Sequence, residues 1–500
     1  MNDKKSDQQK KSSGRWKVVV GLLLIFAIVG GYIGWDRGFR EFPQADWVTR
    51  DAETRFMYGS IGAEWDAGVP YWIFYVLPRM FPEKFPGPGG YASLGVPWEE
   101  GQELPIGFTK KRIGFERVAN NCAVCHTATY RETPDSKRVF VPLGSGHTTN
   151  VQGYFRLLIE AAKDPRFNAD NIMVQIQLAT QLDLIDTLLY RYLIIPITRK
   201  TLLEREDLFQ WMYNSDYPHW GPGRDDAMNL TKYFMIGVEP PDDGTYGPTD
   251  FPSIWNLGKY KTEEGIDKPQ RMNLAGDTWD AYSVVMDSAL GVLGAEPHDN
   301  EDFVDQVQWL TEYAKQTRAP QYPFAVDAAR ATQGKAVFGG HCASCHGSNS
   351  DKVGRPIPLA EVGTSPDRMK TWNGEYAVKA NQIVSDMGLE RRGLVEQDPI
   401  GYRVPYLDGI WLRAPYLHNG SVPNLSALLT PPSARPKQFY RGYDVYDRKN
   451  VGFIAEGPDA QRYGMLHDAT RKGNGNQGHA FGTQLAPAEK TALMEYLKTL

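Results

Sequence analysis

The pentapeptide Cys122-Ala-Val-Cys125-His126 constrains this chain more than any other feature, and it recurs as Cys342-Ala-Ser-Cys345-His346. Two thiols one helical turn apart can add to the two vinyl groups of one porphyrin. The adjacent histidine then reaches the iron from the proximal face. Two copies predict two covalently bound haem c groups on Cys122, Cys125, Cys342 and Cys345, with His126 and His346 as iron ligands. The chain has four cysteines, all within these motifs. None is left for a structural disulfide or a thiolate nucleophile. A lone C-x-x-C also fits a redox dithiol or half a zinc site. Zinc would require both pairs to converge and would leave both following histidines without a role. Haem c is attached outside the cytoplasm, so the motifs also predict where the protein works.

The N-terminus carries an address. Residues 2–15 are polar and include Lys4, Lys5, Lys10, Lys11 and Arg15. Residues 18–33 (VVVGLLLIFAIVGGYI) are almost wholly apolar and are flanked by Trp16 and Trp35. Roughly 20 apolar residues suffice to cross a bilayer core. Lysines stay on the cytoplasmic side, and tryptophans suit both interfaces. A cleaved signal peptide is the rival, but no small-x-small site follows Gly34. The expected arrangement is a cytoplasmic tail over residues 1–15 and an uncleaved anchor over 16–35. The remainder then lies in the periplasm of a bacterium, tethered to the inner membrane.

Residues 36–500 have a globular composition. The slightly acidic balance of the chain (net charge −5) argues against nucleic acid as a partner. The 220-residue offset between the motif histidines suggests one haem domain over 36–298, with a helical insert, and a second over 299–500. Residues 69–81 (VPYWIFYVLPRMF) read as core, with a bilayer-lying surface or an entrance for an apolar substrate as the sharper alternative. Helical spacing of apolar residues marks 151–162 and 171–184. Residues 185–198 are largely apolar but contain Asp186 and Arg191, which makes them a buried or interfacial helix rather than a span. Further on, 301–316 and 327–338 read as helices, the second running into Cys342. Residues 487–500 close the chain with proline in the first turn and Leu493, Tyr496, Leu497 and Leu500 on one face. The expected class is therefore mainly α: two cytochrome c-like haem domains with long ordered loops behind one transmembrane helix.

Ala414-Pro-Tyr-Leu-His418-Asn-Gly resembles the APY-x-H-(D/N)-G segment of bacterial di-haem cytochrome c peroxidases and their relatives. The order of parts also fits that superfamily. Val362-Gly-Thr-Ser-Pro-Asp-Arg368 and Gly478-His479-Ala-Phe-Gly482 are most similar to the branch of the di-haem rubber oxygenase and the di-haem fatty-acid dioxygenases. The resemblance covers roughly residues 55–500.

That resemblance carries expectations about ligands, since an iron with two protein ligands passes electrons and one with an open face binds dioxygen or peroxide. For the second haem the distal candidates are His479, His467, His418, Met465 and Met387. The oxygenase branch points to His479; a methionine would favour a peroxidase. The first haem is expected to be open, with His147 as the alternative ligand and Trp255 placed near its iron as a catalytic residue. Trp220 and Trp279 are further indoles that can stand beside the haems, and Arg224 can pair with a propionate. The implied activity is a haem-dependent oxidoreductase, oxygenase-like on an apolar unsaturated substrate. The alternatives are a hydrogen-peroxide-reducing peroxidase and a non-enzymatic electron carrier. The implied partners are a small redox protein, such as a cytochrome or cupredoxin, and dioxygen or hydrogen peroxide. A calcium site is not legible.

Overall fold

The computed structural model describes residues 3–238, 244–262, 269–390, 393 and 395–500. Helix α1 (Asp3–Gly38) is continuous. Its apolar part, Trp16–Gly38, has a mean hydropathy of 2.4 and is not buried against the rest of the chain. By length and composition it can cross a bilayer. The chain leaves it without a linker. Phe42 N–H donates to Arg112 O at 3.0 Å, and Gly114 N–H donates to Arg40 O at 2.7 Å.

Around the first motif the chain is not helical. Strands β1 (Val69–Pro70), β2 (Phe108–Ile113) and β3 (Phe115–Asn120) form an antiparallel sheet in the order β1-β3-β2. β4 (Thr127–Tyr130) pairs antiparallel with β5 (Val139–Pro142). The first C-x-x-C-H thus bridges the end of one hairpin and the start of another. This corrects the mainly α expectation: the molecule is mixed, with about 46% helix. The physical reason is local. Phe108, Thr109, Ile113, Phe115, Val118, Thr127, Thr129 and Tyr130 are β-branched or aromatic and suit a pleated, half-buried surface.

Helices pack outside these strands. α2 (Ala52–Tyr58) starts at Asp51, whose carboxylate accepts from Thr54 N–H at 2.8 Å. α3 (Tyr71–Met80) buries Tyr71, Ile73, Phe74, Val76 and Leu77, so this apolar run is core. α4 (Val151–Lys163) and α5 (Ala169–Ala179) are capped by Asn150 and Asn168. α6 (Leu184–Leu189) continues through a π-turn at Tyr190–Ile194 into α7 (Ile195–Leu208). Pro196 lacks the N–H that a regular helix would use, and the turn before it widens.

In the second half, helix Ala328–His341 runs into the second motif, and the closing helix Pro487–Leu497 crosses it. The crossing is close because Gly334 stands there. A Cβ on it would come within 1.9 Å of Ala492 O. One apolar cluster joins Phe56, Cys122, Trp255 and Leu310 with Phe338, Trp411 and Leu493, so the two motifs share a core.

Candidate functional site

Each motif is a tight turn that presents its histidine. In the first, Asn121 fixes the turn: its Oδ1 accepts from Ala123 N–H at 2.9 Å, and its Nδ2 donates to Phe56 O and Gly59 O. In the second, helix Ala328–His341 ends at Cys342 and a further helical turn carries Ala343–His346. His126 N–H and His346 N–H each donate to the carbonyl of the first cysteine of the motif, at 2.9 and 2.8 Å.

The two imidazoles are oriented in the same way. His126 Nδ1 lies 2.8 Å from Pro252 O, and His346 Nδ1 lies 3.1 Å from Pro405 O. A carbonyl only accepts, so each Nδ1 carries the proton and each Nε2 is left with a lone pair. This is how a metal-binding histidine is usually held. Burial pushes His126 down to about 4 and lowers His346 as well, so both rings are neutral near pH 7. Burial also pushes the Cys122 and Cys342 thiols up, to about 12 and about 11. Neither is a thiolate nucleophile, which suits thioether attachment.

His479 faces His346. Their ring centres are 6.3 Å apart. Two imidazole nitrogens each ~2 Å from one metal, and ~1 Å from their own ring centres, would place those centres ~6 Å apart. The Nδ1 of His479 is buried with no protein partner. The pair therefore fits a six-coordinate haem iron.

The loop that holds His479 is heavily fixed. His479 has φ +46°, uncommon for a residue with a side chain. Its N–H donates to Val362 O at 2.7 Å. Arg435, 3% exposed, donates to the carbonyls of Leu428, Thr430, Asn476, Gly478 and His479. Burial lowers Arg435 to about 10, which still leaves it charged at neutrality. Gly478 (φ +78°) packs so closely that a Cβ would lie 2.3 Å from Gly363 C.

The other distal candidates pack against other residues. His418 stacks on Tyr402 at 3.9 Å, with Nε2 3.0 Å from the tyrosine hydroxyl. His467 is 2% exposed against Phe439, with both ring nitrogens buried and unpartnered. Met465 opens a strand beside Gly221, and the Met387 carbonyl accepts from Asn300 Nδ2 at 2.7 Å. Near the first haem motif, His147 lies flat on Phe453 at 3.6 Å, with both ring nitrogens buried and unpartnered. Trp220 packs on Trp211, and Trp279 packs against Gly393. Arg224 is 1% exposed and donates to Trp220 O, His219 O, Asn419 O and Asn474 Oδ1.

Trp255 sits between the proximal partners of both histidines. It follows Pro252 by three residues, and its Nε1 donates at 3.0 Å to Asp408 O, three residues beyond Pro405. The Arg413 guanidinium lies 5.6 Å from its ring centre. Beside Cys125 there is a narrow apolar cavity lined by Val96, Phe108, Val124 and Tyr154, with one carboxylate, Asp225. Burial, then the neighbouring Asp226, pushes Asp225 up to about 7. Pro252, Pro405, Arg435 and Asp225 were missed from sequence. Among the described residues, no group of three or more His, Cys, Asp or Glu side chains gathers as a metal site.

Residues 401–441 match the family model "RoxA-like, cytochrome c-like". The segment contains Pro405, Trp411, Arg413, His418 and Arg435. It identifies a cytochrome c-like domain in this part of the chain, with covalently bound haem c, and supports the di-haem rubber oxygenase-like branch. Two curated relatives come from Sinorhizobium fredii. "Uncharacterized protein y4iJ" is 27% identical over 372 residues, covering 56% of this chain and 60% of its own length. "Uncharacterized protein y4iM" is 32% identical over 221 residues, covering 36% of this chain and 50% of its own length. The chain thus spans 60% or less of the length of each.

Proposed function

We propose that this is a di-haem c-type oxidoreductase, anchored in a bacterial inner membrane with its globular part in the periplasm. In this reading His126 holds an open first haem and the His346–His479 pair holds a second haem that relays electrons. The observation that carries it is the 6.3 Å separation of the His346 and His479 rings. When bound, a haem with an open face supplies dioxygen or peroxide chemistry, and a bis-imidazole haem supplies electron transfer.

The residues of this chain orient and insulate. The Pro252 and Pro405 carbonyls fix which nitrogen of each proximal imidazole is free. Trp255, near both of these carbonyl segments, supports electron passage between the two centres. The narrow apolar cavity lining beside Cys125 keeps water scarce. The preferred activity is oxygenase-like, on an unsaturated apolar compound. Asp225 favours a second reading. A buried carboxylate near neutrality can hold or release a proton beside Cys125, as reduction of hydrogen peroxide requires.

The test is paired turnover by the full-length holoprotein. Dioxygen uptake with an unsaturated fatty acid or polyisoprenoid, and none of the peroxide turnover with a reduced cytochrome or cupredoxin, supports the oxygenase. The reverse pattern, weakened in Asp225→Asn, supports the peroxidase. Neither activity, with both irons six-coordinate by electron paramagnetic resonance, leaves an electron carrier.

A further inference from the structure

The outward face of α6–α7 has no role in the haem sites. Leu184, Leu188, Tyr192, Leu193 and Ile197 are 75%, 47%, 64%, 51% and 57% exposed. The inward residues Tyr190, Ile194 and Ile195 are buried. Over residues 184–197 the helix thus carries apolar residues on its outward as well as its inward side, a length of ~20 Å, interrupted by Asp186, which pairs with Arg37, and by Arg191, which pairs with Asp170. At Lys200 and Glu204 the outward face becomes polar. α5, which packs on the π-turn, extends the patch with Leu178, 72% exposed. Single exposed apolar residues need no explanation, but a contiguous apolar face on a soluble surface does.

The position of this face identifies what covers it. Arg37, in the last turn of α1, bonds both carboxylate oxygens of Asp186 at 3.0 and 2.9 Å and Asp183 at 2.9 Å. Asp183 is also the N-cap of α6, accepting from Asp186 N–H at 2.8 Å. The first turn of α6 is thereby pinned where the apolar run of α1 ends, next to Trp35, a residue suited to the membrane interface. Helix α1 is itself exposed along Trp16–Gly38. The two exposed apolar surfaces meet at this ion-paired corner, so a single apolar cover suits both.

We propose that α6–α7 lies on the bilayer, its Leu184–Leu188–Tyr192–Ile197 face in contact with acyl chains. This rests on the reading of α1 as a membrane anchor and goes beyond it. The folded body is held at two points, the spanning helix and the surface helix, so its haem motifs keep one orientation to the membrane. A surface helix of this kind binds through its buried apolar area.

The native cysteines are thioether-bound in the holoprotein, so one added cysteine can be labelled alone. Leu188→Cys, Leu178→Cys, Leu22→Cys and Gln461→Cys, each in the full-length holoprotein, are labelled with nitrobenzoxadiazole. They are then placed in phosphatidylcholine–phosphatidylglycerol vesicles with or without doxyl lipid. The expected result is loss of roughly half or more of the emission at Leu22, Leu188 and Leu178, and little change at Gln461 on the exposed side of helix Gly457–Tyr463. Quenching at Leu22 without quenching at Leu188 and Leu178 overturns the proposal and leaves the anchor standing. No quenching at Leu22 removes the anchor reading and the proposal with it. Protection of Leu188 from aqueous iodide without doxyl quenching means that protein, such as a second copy of this chain, covers the face, and also overturns it.

Discussion

Cys122 and Cys125 are 7% and 8% exposed and belong to the apolar core, whereas Cys342 and Cys345 are only half-buried. The same C-x-x-C-H pattern, with Val124 in one copy and Ser344 in the other, thus stands in two settings. The first motif is clasped between two hairpins, and Gly107 and Gly146 let backbone approach it so closely that a Cβ on either would collide with Val124 or Cys125. The second hangs from one helix end and meets an imidazole delivered by a loop some 130 residues away. A motif sewn into the core can be shielded and shaped. A motif at the edge, closed by a second ligand, can exchange electrons with a partner. The difference in setting supports a division of labour that the shared C-x-x-C-H pattern does not show.

The largest test of this contrast removes each attachment in turn. Cys122→Ala with Cys125→Ala deprives the shared core of the group it packs around, and we expect almost no soluble or membrane-bound protein to accumulate. Cys342→Ala with Cys345→Ala should accumulate poorly but measurably, with one covalent haem by pyridine haemochrome. Equal yields from the two variants would break the comparison.

A smaller effect is expected at the loop. Arg435→Met removes one guanidinium from five buried carbonyls, and such losses cost about 2–5 kcal/mol. The expected readout is a partial change of the low-spin signal of the second haem to high-spin, with the first haem unaltered. Arg435→Lys should rescue only part, because an ammonium has three donors without the planar fork. An unchanged low-spin signal in Arg435→Met means that the loop holds His479 without it.

Parts of this arrangement were readable in the sequence. The motif residues announce themselves by spacing, and His479 stood out because glycine precedes it in a loop just before the closing helix. Its backbone at φ +46° shows why that loop needs glycines around it. The carbonyls of Pro252 and Pro405 left no trace, because every residue has a carbonyl and only the fold decides which one meets an imidazole. Arg435 is one arginine among many, with no local carboxylate to mark it. The strands around the first motif were missed because the helical pattern of the second was extended to it, although Thr127-Ala-Thr-Tyr130 is a β-prone run.

The smallest predicted effect is in the pH response near the first motif. Burial holds His147 down at about 3, against ~6.5 in an unfolded chain. Between these values the unfolded chain binds the extra proton. The stability from neutral His147 is therefore complete above pH ~6.5 and falls as pH drops, by up to ~1.4 kcal/mol per unit. His147→Phe should keep the stack on Phe453 and lose less melting temperature between pH 7 and pH 5 than the parent. Parallel melting curves for the two would show that His147 is not buried neutral.

The most direct measurement is the electron paramagnetic resonance spectrum of the resting full-length protein beside that of His479→Gly. The account predicts one low-spin haem and one high-spin haem in the parent. In the variant the low-spin signal should be lost and should return on adding imidazole, while the high-spin signal stays as it was. Two low-spin haems in the parent, or a low-spin signal unmoved by His479→Gly, would contradict the assignment of the second iron to His346 and His479.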